Sequence, residues 1–77
     1  MNEEEIKEVT LLVTYSVNRN DQNGEHVTIH SDQIFFEGPA AEDYTASDVL
    51  NKLIWKVVAE NPEIHSNSIS LINYWVW

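Results

Sequence analysis

The sequence predicts an α+β fold: an antiparallel sheet of three to four strands, in the order β-β-(β)-α-β, with one helix packed on one face. Three observations predict it. Apolar and polar residues alternate from Glu8 to Asn18, a helical stripe opens behind a capping pair at Thr45, and a β-rich segment closes the chain from Ser68 to Trp77.

In the first strand Val9, Leu11, Val13, Tyr15 and Val17 share one face, and the other is polar except for Leu12. That pattern is a half-buried strand rich in β-branched residues. A turn follows at Asn20-Asp21-Gln22-Asn23-Gly24. A three-residue loop, Gln22-Asn23-Gly24, sets Val17 opposite Ile29 and places Gly24 at a left-handed position. It keeps Val27 and Ile29 on the core side and turns His26, Thr28 and His30 outward. Ser31-Asp32 reads as a tight turn or a bulge, so Ile34–Glu37 is either a third strand or a continuation of the second. Gly38-Pro39 ends the segment, because proline has no donor for a ladder.

Thr45 and Asp48 stand as N-cap and N3 of a capping box, with Asp in place of the usual Glu or Gln. Val49, Leu50, Leu53, Ile54, Val57 and Val58 form the apolar stripe, and Asn61-Pro62 stops the helix. The last strand alternates at first and is apolar on both faces from Leu71. Leu12, Ile72, Tyr74 and Val76, with Phe35 or Phe36, are therefore expected on the face away from the helix, and Leu12, Ile72, Tyr74, Trp75 and Val76 as the self-association surface of a homodimer, through this face or the C-terminal strand. Trp55 falls off the stripe, beside Lys52 and Lys56, where it is expected to lie over lysine stems or against the aromatic C-terminus.

The 77 residues make one domain, 1–77, with residues 1–7 as a flexible charged leader. There is no cysteine, so disulfides, thiolate metal sites and thiol nucleophiles are excluded. The acidic N-terminus is no signal peptide, and no apolar run nears the roughly 20 residues that span a bilayer. A cytoplasmic location is expected. His26 and His30 lie about 13 Å apart on a strand, too far to share an ion, and His65 is isolated. His30, Ser31 and Asp32 are triad residue types but diverge along a strand. No enzyme activity, cofactor or metal is expected.

Charge is the strongest compositional signal: 13 Asp and Glu against four Lys and Arg give a net charge of −9. A hydrophobic share of 43% is enough to fold, which excludes a disordered acidic tail. Nucleic acid and anionic membranes repel such a chain, whereas a basic protein is attracted. Between Asn20 and Asn51 there is no Lys or Arg at all. The acidic positions there, Asp21, Glu25, Asp32, Glu37, Glu42, Asp43 and Asp48, are the candidate partner-binding residues, and Asp21 and Glu25 are expected to oppose each other across the turn.

A cysteine-free, strongly acidic domain of this size and element order resembles the small phage-encoded proteins that imitate DNA. It looks most similar to a Bacillus phage inhibitor of the bacterial histone-like protein HU. Uracil-DNA glycosylase inhibitors and anti-CRISPR proteins share the same character. The resemblance rests on charge, size and order, with no diagnostic motif. It implies carboxylates that stand in for backbone phosphates and occupy the DNA-binding surface of a basic, HU-like host protein. The alternative is a non-mimetic interaction or assembly module that binds through an aromatic sheet face.

Overall fold

The computed structural model describes residues 7–22 and 24–77. The expected leader lies outside the described residues except for Lys7, whose carbonyl accepts a hydrogen bond from Gly38 N–H at 2.9 Å. Two long strands, β1 (Glu8–Asp21) and β2 (Gly24–Glu37), form an antiparallel hairpin. A 3-10 turn at Ala41–Asp43 leads to helix α1 (Ala46–Glu60), and a second at Ser66–Ser68 leads to β3 (Ile69–Val76). The sheet order is β2-β1-β3, all antiparallel, which is the α+β arrangement read from the sequence. Residues 33–37 belong to β2, so the optional third strand is a continuation of the second.

The helix forms where its signals stand. Asp48 N–H donates to Thr45 Oγ1 at 3.2 Å, and Thr45 N–H donates to Asp48 Oδ2 at 2.9 Å. Together they satisfy two donors at the helix start that have no partner within the helix. At the other end Asn61 caps the last turn through both its backbone and side-chain N–H groups, which reach the Val57 carbonyl. The stripe residues Val49, Leu53 and Val57 are buried against Leu11, Val13, Tyr15 and Val17 of β1, Ile34 of β2, and Ile64 and Ile69. The capping pair, the stripe and the inner face of β1 stand as expected.

The hairpin register does not. Val17 lies opposite Thr28, and Ile29 opposite Ser16. The closing pair is Asp21 with Gly24, so the connection holds two residues, not three. A one-residue slip moves every side chain of a strand to the other face. Val27 and Ile29 therefore point away from the helix, 59% and 61% exposed, while Thr28 and His30 lie on the helix side. The cause is the length of β2. A strand without a bulge from Gly24 to Glu37 has a single parity, and Ile34, only 2% exposed, takes the core side. Val27 and Ile29 cannot share that side with Ile34, and no bulge forms at Ser31-Asp32 to let them.

The irregularity falls in β3 instead. Leu12 faces Trp75 and Thr14 faces Asn73, but Tyr15 faces Leu71, which leaves Ile72 as an extra residue. Past this bulge the parity of β3 is inverted. Tyr74 and Val76 sit opposite Val13 and Leu11 on the helix side, contrary to their expected place on the outer face.

Candidate interaction surfaces

The structure distributes the candidate carboxylates in three ways. Some are used internally. Lys56 Nζ donates to Asp32 Oδ1 at 2.9 Å, joining α1 to β2 across the core edge. Asp48 serves the helix cap. Glu42 is paired with Lys7 at 3.1 Å, an exposed contact worth under about 1 kcal/mol.

Others gather at the base of the hairpin. Glu8 lies directly opposite Glu37, and the Cβ atoms of such a pair are about 5 Å apart. The turn carrying Glu42 and Asp43 follows immediately, after Gly38 turns the chain with φ of 106°. Glu8, Glu37, Glu42 and Asp43 thus form one acidic end with Lys7 as its cation. Like charges in directly opposed strand positions cost stability, and no described cation pairs with either Glu8 or Glu37.

Glu25 is at the far end, roughly 40 Å along β2 from Glu37. It accepts a 3.4 Å hydrogen bond from Asn18 Nδ2 and faces Asn20, not Asp21 as expected. The side chain of Asp21 is outside the described set. The acidic positions therefore do not form one track running from Asp21 to Asp48.

Every Lys and Arg of the chain is engaged from within. Lys7 and Lys56 form the ion pairs above, Arg19 Nε donates to Thr28 Oγ1 at 3.2 Å, and Lys52 Nζ stands 5.0 Å from the Phe36 ring centre. Only Lys7 and Lys56 of the four have a carboxylate as partner among the described residues; Arg19 and Lys52 keep their charge beside neutral groups.

The outer face of the sheet is a different surface. Between the Glu8–Glu37 pair and Glu25 it carries no charged residue on any strand. Leu12 and Trp75 are direct neighbours there, and Val27, Ile29 and Phe35 stand exposed among Ser and Thr residues. Of the expected self-association set, Leu12 and Trp75 meet on this face and Ile72 is exposed at the bulge. Tyr74 instead packs edge-on against Tyr44 at 6.2 Å, and Tyr44 stacks on Phe36 at 5.2 Å. Of the two phenylalanines expected as alternatives here, Phe35 is the one on this face; Val27 and Ile29 were expected on the core side, and the observed register brings them here. Trp55 is 79% exposed and borders the groove next to Phe35, Lys52 and Lys56 on one side and Val58 and Ala59 on the other.

On the helix side, Tyr15 stacks on His30 at 5.3 Å. Burial, and then the negative charges of Asp32 and Glu60, hold the Tyr15 hydroxyl above the ordinary phenol range against the pull of Arg19. Among the described residues no three His, Asp or Glu side chains come close enough to hold a metal ion, and no helix is long and apolar enough to cross a membrane. No protein-family model matches the chain, and comparison with curated proteins and with solved structures gives no match either.

Proposed function

We propose that this protein binds a basic DNA-binding protein of the HU-like kind in the host cytoplasm and competes there with DNA. The supporting observation is the one-sided use of charge: with a net charge of −9, each of the four Lys and Arg has a contact within the chain, while Glu8 and Glu37 are held opposite each other with no described cation on either. A like-charge pair kept on a rigid sheet is stabilised when a cationic surface covers it. The acidic end formed by Glu8, Glu37, Glu42 and Asp43 is the proposed contact centre. Asp32, held by Lys56, and Asp48, committed to the helix cap, play no part in it; Glu42 stays in it because its exposed pair with Lys7 is weak, and Glu25 lies too far away to belong to the same contact.

A competition experiment tests this. A fluorescent DNA duplex bound to a purified HU-type protein is expected to be released on adding the protein at low salt. Release weakens by at least about tenfold at high salt, as charge-steered binding does. The E8K/E37K variant is expected to lose the effect, and W75A to keep it. Release that survives the double reversal overturns the reading.

A second reading has its own support in the uncharged outer face, where Trp75 and Phe35 are displayed to solvent and Trp75 lies beside the half-buried Leu12. An interaction module of that kind binds with little salt dependence, is abolished by W75A and ignores E8K/E37K. The two variants thus separate the readings in opposite directions.

A further inference from the structure

In an antiparallel pair, residues alternate between those that exchange hydrogen bonds with the neighbour and those whose N–H and C=O point away from it. Two bonds fix the phase in this sheet. Gly38 N–H donates to the Lys7 carbonyl, and Trp77 N–H donates to the Thr10 carbonyl, each at 2.9 Å. Odd-numbered residues of β1 therefore serve β2, and even-numbered ones serve β3. Carried across the register, this turns the backbone groups of the odd-numbered residues of β2, from Glu25 to Glu37, to the free edge of the sheet.

At Gln33 those edge groups are capped by side chains. Lys56 Nζ donates to the Gln33 carbonyl at 2.8 Å, and Gln33 N–H donates to Asp32 Oδ1 at 2.7 Å. The Lys56–Asp32 pair closes the edge at that point, one of the ways a protein blocks unwanted strand addition. Among the described residues nothing caps the groups of Val27, Ile29 and Ser31. An open, uncapped edge of this kind is a template for another strand.

The open stretch also reads nearly the same from either end: His26-Val27-Thr28-Ile29-His30, with two β-branched residues in the mirrored places. We infer that a second copy of this chain adds to the β2 edge, antiparallel and about a two-fold axis at Thr28, to make one six-stranded sheet. Val27 then lies opposite Ile29 of the second copy, Thr28 opposite Thr28, and Glu25 opposite Ser31. The register uses the uncapped residues and stops short of Gln33. No carboxylate faces a carboxylate across the seam, so the high net charge does not forbid it. Val27 and Ile29, solvent-exposed in one copy, form a shared apolar row on the outer face. A peptide of unrelated sequence lacks this mirrored fit, and for that reason the second copy is the occupant. The inference is independent of the partner proposed above.

Sedimentation and crosslinking test it in the intact chain. The wild-type protein is expected at twice its 8.9 kDa monomer mass at tens of micromolar. V27K/I29K sets lysine against lysine and is expected to give monomer, while V27K/I29E sets lysine against glutamate and restores the dimer. Both sites are more than half exposed, so the variants keep the fold. Since the chain has no cysteine, T28C gives a clean probe: residues paired without hydrogen bonds have Cα atoms about 4.5 Å apart, within disulfide reach. T28C is expected to crosslink on oxidation. S31C, whose two copies lie about 20 Å apart in this register, is not. A wild-type monomer, a dimer indifferent to V27K/I29K, or crosslinking through S31C as fast as through T28C overturns the inference.

Discussion

Leu53 has no exposed surface and sits in the middle of the helix stripe, where its side chain meets β1 from above. Leu53→Ala is expected to cost about 2–5 kcal/mol, read from the urea midpoint, because the small core has few neighbours able to fill the void. Thr45→Ala removes one half of the capping box and strands the other, for roughly 1 kcal/mol in the same assay. Tyr15 gives a pH dependence with a definite sign. Its hydroxyl titrates higher in the folded chain than in the unfolded one, so ionisation opposes folding. That contribution is fully present below about pH 10, the unfolded phenol value, and is lost as pH rises from there through the folded value. Unfolding at pH 9 and pH 11 should show the loss, and Tyr15→Phe should shrink it. The individual carboxylates were the least legible residues in the sequence. Asp32 and Lys56 stand 24 positions apart, and nothing in either neighbourhood announces that they meet.

At the scale of elements, the helix and β1 were legible because their signals are local. A capping pair, a 3.6-residue stripe and a two-residue alternation need only neighbours to be read. Strand pairing needs a decision between distant groups, and β2 contains two apolar pairs of opposite parity, Val27/Ile29 and Ile34/Phe36. Each fits the core by itself. The second wins because α1 covers that half of the hairpin: Ile34 is buried against it, with Phe36 partly so. Gly24 keeps the positive φ expected of it, 93°, although the loop is one residue shorter. Since a Cβ there meets no atom within 4 Å, Gly24→Ala isolates backbone strain. The expected cost is about 1–2 kcal/mol in urea unfolding, with the hairpin pairing preserved by NMR.

For the molecule as a whole, the mismatch of lengths governs local stability. Fourteen residues of strand extend about 46 Å, whereas the 15 residues of α1 cover about 22 Å. β3 covers β1 only from Thr10, whose carbonyl takes the Trp77 N–H, to Val17. Amide exchange is expected to be slowest in that stretch of β1 and to quicken steadily toward Gly24, with the tip opening before global unfolding. Net repulsion adds to this picture, and moderate salt should raise the melting temperature by screening it. The extra residue in β3 also has a consequence for the whole molecule. Ile72 acts as a phase shifter: a β3 that ran straight through it, with Ile72 opposite Thr14, would exchange the places of Tyr74 and Trp75, sending the indole toward Tyr44 and the phenol to solvent. Where the backbone bulges, and not the choice of side chain, decides which aromatic ring this protein shows to its surroundings.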